Sequence, residues 1–257
     1  MQEYNFPYLD YAIEGELSGK TEKEFFDEIR QENALVNQAG VTIWQVHGPW
    51  RFPPHDETPE LRAERMEVMK RSIQATGMIG CRYWVIHPIM PFGWNDDFDT
   101  PQFYEINYSF FHKLLPTAKK EGVTICLENM PMKKLPISTP EKTAEFVRYI
   151  HDEHFKLCLD TGHAMIFGIQ PADALRQVRE EVRVLHVHDN MGNNDDHLTP
   201  GMGIGDWIAF RDELLKIGFE GVYSLETGWK NFLPNLSINT KIKALRAILQ
   251  EIVPADS

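Results

Sequence analysis

The stretch VTICLENMPMKKLPISTPEKTAEFVRYIHDEHFKLCLDTGH, residues 123–163, decides the fold. It opens on a short apolar, β-branched run from Val123 that stops at Glu128, and it closes on a second such run, Phe155 to Asp160. Between them lies a segment of helical periodicity, residues 140–152, announced by Thr139-Pro140, a capping hydroxyl before a proline at the first helical position. Strand, helix and strand in that order need a crossover connection, so the two strands are expected to run parallel.

The same unit repeats outward in both directions. Further strands are expected at residues 5–12, 41–47, 82–88, 182–189 and 221–226, and further helices near 21–38, 59–77, 101–120, 171–180, 206–217 and 238–252. Thr58-Pro59 and Thr100-Pro101 repeat the start signal. Seven units with no linker or composition break favour a single α/β domain over residues 1–257, a (β/α)8-type TIM barrel with an irregular or missing first β/α unit. No glycine-rich phosphate loop follows the first strand, which counts against an open doubly wound sheet. An uncovered first edge leaves room for a homodimer.

Composition sets the outer bounds. With 257 residues, 25% of them charged, 42% hydrophobic and 11% aromatic, the chain has the make-up of a globular protein. The apolar runs fall far short of the roughly 20 residues that cross a bilayer. The first thirty residues show no signal-peptide pattern, so a cytoplasmic location and no membrane partner are expected. Cys81, Cys126 and Cys158 give no disulfide framework and read as small core residues. A net charge of −12 opposes binding to nucleic acid unless basic residues are concentrated locally.

Ionisable residues gather where the predicted strands end. His47, His87, Glu128 and Asp160 close the second to fifth strands, and His163 follows three residues on. His186, His188 and Asp189 end the sixth strand and Glu226 the seventh. In a barrel of parallel strands these ends share one face, the face that carries active sites. A histidine at a strand end is commonly only a hydrogen-bonded structural residue. Three carboxylates after apolar runs are different, because each is expensive to bury without a positive partner. Almost no Lys or Arg shares these strand ends, so a bound divalent cation is the simplest source of compensation. Imidazole and carboxylate without thiolate suit Zn2+ or Mn2+, with Co2+ or Mg2+ as further options.

The motifs VHGPW (46–50), VIHP (85–88), LENMP (127–131), LDTGHAMIFG (159–168), LHVHDN (185–190), DDHLTPGMGIGDW (195–207) and SLETGW (224–229) together resemble the xylose isomerase-like TIM-barrel superfamily. That superfamily holds sugar-phosphate isomerases and epimerases together with endonuclease IV. The resemblance implies that Glu128, Asp160, His186 and Glu226 are the metal ligands of the epimerase branch, and that His163 contacts substrate or metal. It also implies that His47, His87, Asp195 and His197 fall on the further ligand positions of the endonuclease IV branch, for one to three ions in all. The arginine that the epimerase branch often carries near His197 has no counterpart in this sequence.

Electrostatics then separates sugar from DNA. Residues 91–108 and 189–206 each carry four acids and no Lys or Arg, and only Arg51, Lys133, Lys134 and Lys230 oppose them near the mouth. Phosphate binding normally needs such cations, so a small carbohydrate is the expected substrate and nucleic acid the less favoured one. The expected reaction is metal-dependent isomerisation or epimerisation, with Glu128 and Glu226 exchanging a proton and His163 beside them. Trp50, Trp94, Trp229 and Phe92 would wall the pocket, His188 would orient hydroxyls, and Lys133 would meet a phosphate on the sugar. Multinuclear zinc hydrolysis of a phosphoester, abasic DNA included, is the second reading. An inactive sugar-binding barrel is the third, and it leaves the acids at the strand ends without a use.

Overall fold

A computed structural model describes residues 6–50, 56–92, 99–227 and 235–253. Six strands, β1 (Tyr8–Ala12), β2 (Thr42–His47), β3 (Tyr83–Ile86), β4 (Thr124–Glu128), β5 (Phe155–Asp160) and β6 (Val182–His186), form one curled sheet in the order of the chain. Every neighbouring pair is parallel. Helices lie between them: α1 (Glu22–Gln38), α2 (Pro59–Met78), α3 (Thr100–Glu121), α4 (Pro140–Ile150), α5 (Thr161–Ile166), α6 (Pro171–Val178), α7 (Trp207–Ile217) and α8 (Ile238–Ile252). This is an irregular (β/α)8-type barrel, as the alternation predicts.

The first unit is present and irregular, as one of the two expectations has it: β1 pairs with β2, with a register shift between Leu9 and Asp10. Three differences from the expected pattern follow. The seventh strand position is reduced to a single parallel bridge, Val187 to Leu225, held by Val187 N–H donating to Ser224 O at 2.8 Å and Glu226 N–H to Val187 O at 3.0 Å. Thr100 does not cap α3. It lies inside the helix, Asp99 is the cap residue, and no side chain closes the first turn. The turn after β5 is the short helix α5, too brief to show periodicity in the sequence. Thr58 and Thr139 cap α2 and α4 as expected, accepting from Leu61 and Lys142 N–H.

The barrel closes by side-chain packing where strands run out. Leu245 and Leu249 of α8 are buried against Phe6, Tyr223 and Leu225, spanning the gap between the seventh position and the start of β1. The main core fills the layer between sheet and helices, with Trp84, Phe103, Phe111, Phe146, Phe155 and Phe210 among its fully buried members. A smaller inner layer, Val85, Cys126, Cys158 and Val184, fills the barrel beneath its mouth. All three cysteines are free and buried. Two residues further along the same four strands stand His87, Glu128, Asp160 and His186. Because strand side chains alternate with period two, they share the inward face of the layer below.

Candidate metal centre

Each strand end delivers its residue for a local reason. Asp160 ends β5 and caps α5, accepting from His163 N–H at 2.6 Å. That turn fixes where His163 leaves the chain. Gly162 lies between them because a Cβ at this position would sit 1.9 Å from the His188 ring. Thr161 Oγ1 bonds to the chain at His188, donating to its carbonyl at 3.0 Å, so the Asp-Thr-Gly-His turn is stitched to the end of β6. The loop after β6 folds around the buried carboxylate of Asp189. It accepts from the N–H groups of Asn190, Gly201, Gly203 and Gly205 and from Trp207 Nε1. An antiparallel bridge between Asp189 and Leu198 closes the same loop and presents Asp195 and His197, the latter at φ 47.

The side chains that this scaffold brings together form one continuous cluster. His186 Nδ1 lies 3.1 Å from Glu128 Oε1 and 3.3 Å from Glu226 Oε2. On one side, His87 Nε2 and His47 Nε2 approach Glu128 Oε2 at 3.2 and 3.6 Å. On the other, His188 Nε2 meets Asp160 Oδ2 at 3.0 Å and His163 Nε2 meets Asp195 Oδ2 at 3.2 Å. His197 Nε2 reaches the same Asp195 oxygen at 3.3 Å. Donor atoms lie within 4.8 Å of one another in the sets Glu128/Asp160/His186/Glu226, His47/His87/Glu128, Asp160/His163/His188, His188/His197/Glu226 and Glu128/Cys158/His186, the last bringing in the buried Cys158 thiol that the sequence reading assigns to the core.

Most of these imidazoles are anchored by one nitrogen and offer the other. His47 Nδ1 donates to Gly48 O at 2.8 Å, His163 Nδ1 to Asn129 O at 2.7 Å and His197 Nδ1 to Glu226 O at 2.9 Å. His186 Nε2 donates to Asp10 Oδ2 at 2.9 Å. Such outer bonds fix the tautomer and ring plane of metal-binding histidines. Close as they stand to one another, Glu128 Oε2, His186 Nδ1 and Glu226 Oε2 are buried atoms that make no well-aligned hydrogen bond among the described residues, and His188 Nδ1 makes none either. Orphaned polar atoms at this depth are costly unless something meets them. A divalent cation fits both the orphaned atoms and the oxygen and nitrogen donor set.

The titration of the cluster follows its crowding. Burial works against the charge on His163, yet Asp160, Asp195 and Glu128 outweigh it and raise the imidazole to about 10. His197 rises to about 9 against the same penalty, chiefly through Asp195. His186 is pushed well above its ordinary value despite burial, by Cys158, Glu226 and Glu128 and by its hydrogen bond to Asp10. Burial alone would raise Glu128, but His186, His47 and His87 hold it well below the usual carboxylate range. Glu226 moves the other way, raised by burial and by the charges of Glu128 and Asp160.

Nine positions singled out in the sequence, His47, His87, Glu128, Asp160, His163, His186, Asp195, His197 and Glu226, therefore share one centre. His188, expected to face substrate, is fully buried between Asp160 and the stacked ring of His197, 4.1 Å away. Trp50 is half exposed with its edge toward His87 at 6.3 Å, and Phe92 lies under the Arg62 guanidinium at 4.0 Å. Lys133 is exposed on the fourth loop. Trp94, Trp229, Arg51 and Lys230 lie outside the described residues. Asp10, Gln45, Asn129 and the ordering role of Asp189 escape the sequence reading. Asp10 stands in a weak, irregular strand, and Asn129 works on backbone groups and a ring, its side-chain amide pairing with the backbone of Asp160 and its carbonyl accepting from His163.

Comparison with known proteins agrees with this architecture. The model of the xylose isomerase-like TIM barrel family matches residues 3–251. An uncharacterized protein of Methanocaldococcus jannaschii is 28% identical over 98% of this chain and 84% of its own. A probable endonuclease 4 of Acholeplasma laidlawii is 26% identical over 80% of this chain and 75% of its own. Among solved structures, a D-tagatose 3-epimerase-like protein superposes with a TM-score of 0.79 at 24% identity, over 98% of this chain and 90% of that one. The IolI protein with a bound zinc atom gives 0.78 at 18%, with the same coverages. The repeated β/α units, the strand-end cluster and the match along nearly the whole chain lead to one conclusion: the protein belongs to the xylose isomerase-like TIM barrel family.

Proposed function

We propose that the chain is a divalent-metal-dependent sugar isomerase or epimerase. The observation that carries this reading is the convergence of Glu128 and Glu226 on His186 Nδ1, at 3.1 and 3.3 Å, from strand positions separated by β5 and β6. Two carboxylates brought in from different sides of one centre suit the removal of a proton from one face of a carbon and its return to another. A divalent ion bound by Glu128, Asp160, His186 and Glu226 supplies the Lewis acid that makes a C–H beside a carbonyl acidic enough to lose its proton.

Glu226 is the more open of the pair, its side chain 36% exposed against 2% for Glu128. It faces substrate entering from the mouth while Glu128 sits deeper, and of the two carboxyl groups one, ionised, takes a proton from its face of the carbon while the other, starting protonated, gives its own to the opposite face. His163, anchored through Asn129, orients a hydroxyl beside them. The exposed face of Trp50 suits the C–H face of a sugar ring. Support from relatives is of the same kind: a D-psicose 3-epimerase of Ruminiclostridium cellulolyticum is 23% identical over 77% of this chain. The bound zinc in the IolI structure supports the metal.

A second reading rests on a specific observation. The sets His47/His87/Glu128 and Asp160/His163/His188 flank the central set, and adjoining metal sites are what phosphoester hydrolysis by a multinuclear centre requires. The acidic loops at residues 91–108 and 189–206 oppose a polyanionic duplex, so the sugar reading stands first. Incubation with a panel of ketoses and their phosphates, and separately with an abasic-site duplex, separates the two. The sugar reading predicts conversion of at least one ketose, abolished by Glu128→Gln and by Glu226→Gln. Strand incision at physiological salt with no ketose turned over would replace it with the hydrolase reading.

A further inference from the structure

We propose that Asp10, braced by Gln45, is a positioning residue for the metal centre: it holds His186 with Nδ1 turned inward and couples the first strand to the sixth. This rests on the metal-dependent reading above. Asp10 Oδ2 accepts two bonds, from His186 Nε2 at 2.9 Å and from Gln45 Nε2 at 2.8 Å. Gln45 is fully buried, and its Nε2 also lies 3.1 Å from the carbonyl of Leu185, the residue before His186. The three side chains belong to β1, β2 and β6, so the links join the two ends of the sheet, which do not pair with each other among the described residues.

The irregularity of β1 now has a use. The register between β1 and β2 shifts between Leu9 and Asp10, and a shift of this kind re-aims the side chains that follow it. Before the shift Tyr8 pairs with Thr42 and Leu9 with Ile43; after it Asp10 pairs with Gln45, Tyr11 with Val46 and Ala12 with His47, and Asp10 is delivered to the inside within reach of His186. A carboxylate on the far nitrogen of a metal-binding imidazole fixes the tautomer, orients the ring and raises its basicity. Asp10 belongs to none of the sets that gather metal-binding atoms, so it acts through His186 rather than on the ion.

Co2+ binding to the purified full chain tests the assignment, with affinity read by competition against a chelator and geometry by the visible spectrum. Loss of such an outer partner typically weakens binding by about 10- to 100-fold. Asp10→Ala is expected to fall in that range with a changed Co2+ spectrum, while the metal-free protein keeps its far-ultraviolet circular dichroism. Asp10→Asn keeps an acceptor without the charge and is expected to lose several-fold and to recover most of the spectrum. Asp10→Ala within twofold of wild type, with an unchanged spectrum, would overturn the proposal. If the alanine variant does not fold, Asp10→Asn decides, and affinity and spectrum equal to wild type overturn it. Wild-type protein that takes up no Co2+ would overturn the metal reading itself, whatever the variants do.

Discussion

Gly162 shows how narrowly the centre is built. With a Cβ at 162 placed 1.9 Å from the His188 ring, Gly162→Ala must displace that ring or the turn that carries His163. Overpacking of this kind costs about 1–3 kcal/mol. The expected outcome is a lower denaturant midpoint together with weaker metal retention, and a midpoint and metal content equal to wild type would refute it. Protonation supplies a second prediction at this scale. In the metal-free protein His163 is raised from 6.5 to about 10 and His197 to about 9, so the folded chain holds protons that the unfolded chain has released. Their contribution to stability is complete below pH 6.5 and disappears as the pH climbs through 9 and 10. Glu128, Asp160 and Asp195 are lowered, and what they contribute is lost on acidification below the ordinary carboxylate range. Metal-free protein should therefore be most stable near pH 5–6 and lose stability from pH 6.5 to 10 in urea titrations. Added Zn2+ should reverse that slope, because metal ligation needs the neutral imidazole. A metal-free stability that rises between pH 6.5 and 9 would contradict the assignment.

At the scale of elements, the loop after β6 hangs on a single carboxylate. Asp189 holds four backbone N–H groups and the Trp207 indole, and the loop so ordered carries Asp195 and His197. Asp189→Ala leaves those donors without an acceptor, at a cost of about 1–3 kcal/mol or more. Hydrogen exchange should show Gly201 and Gly203 amides losing protection while those of β4 and β5 keep theirs. Uniform protection in both regions would mean that the loop does not depend on Asp189. The sequence reveals the acid at the end of β6 but not this use, since the donors are backbone groups scattered over sixteen residues. Elements with strong local signals are legible: α2 and α4 through their Thr-Pro starts, and β3 to β6 through apolar runs ending in an ionisable residue. The bulged β1 and the six-residue α5 carry no periodicity, so the sequence marks them least clearly.

Over the whole molecule, alternating β/α units make the architecture readable, because strand ends of a parallel barrel share a face wherever the individual boundaries fall. What the sequence does not disclose is how the barrel closes. Closure depends on α8 packing Leu245 and Leu249 over Tyr223 and Leu225, and on the Asp10, Gln45 and His186 links inside. Leu245→Ala should cost about 2–5 kcal/mol, read as a lower thermal midpoint. An effect below 0.5 kcal/mol would show that the gap is covered otherwise. The convergence of Glu128, Asp160, His186 and Glu226 on one point is the claim from which the chemistry descends. Metal content of the purified chain by elemental analysis, before and after dialysis against a chelator, tests it most directly. At least one equivalent of a divalent transition metal per chain is predicted, lost with chelator and regained with Zn2+ or Mn2+ alongside a higher thermal midpoint. No metal at any stage, and no change in midpoint when either ion is added, would contradict it.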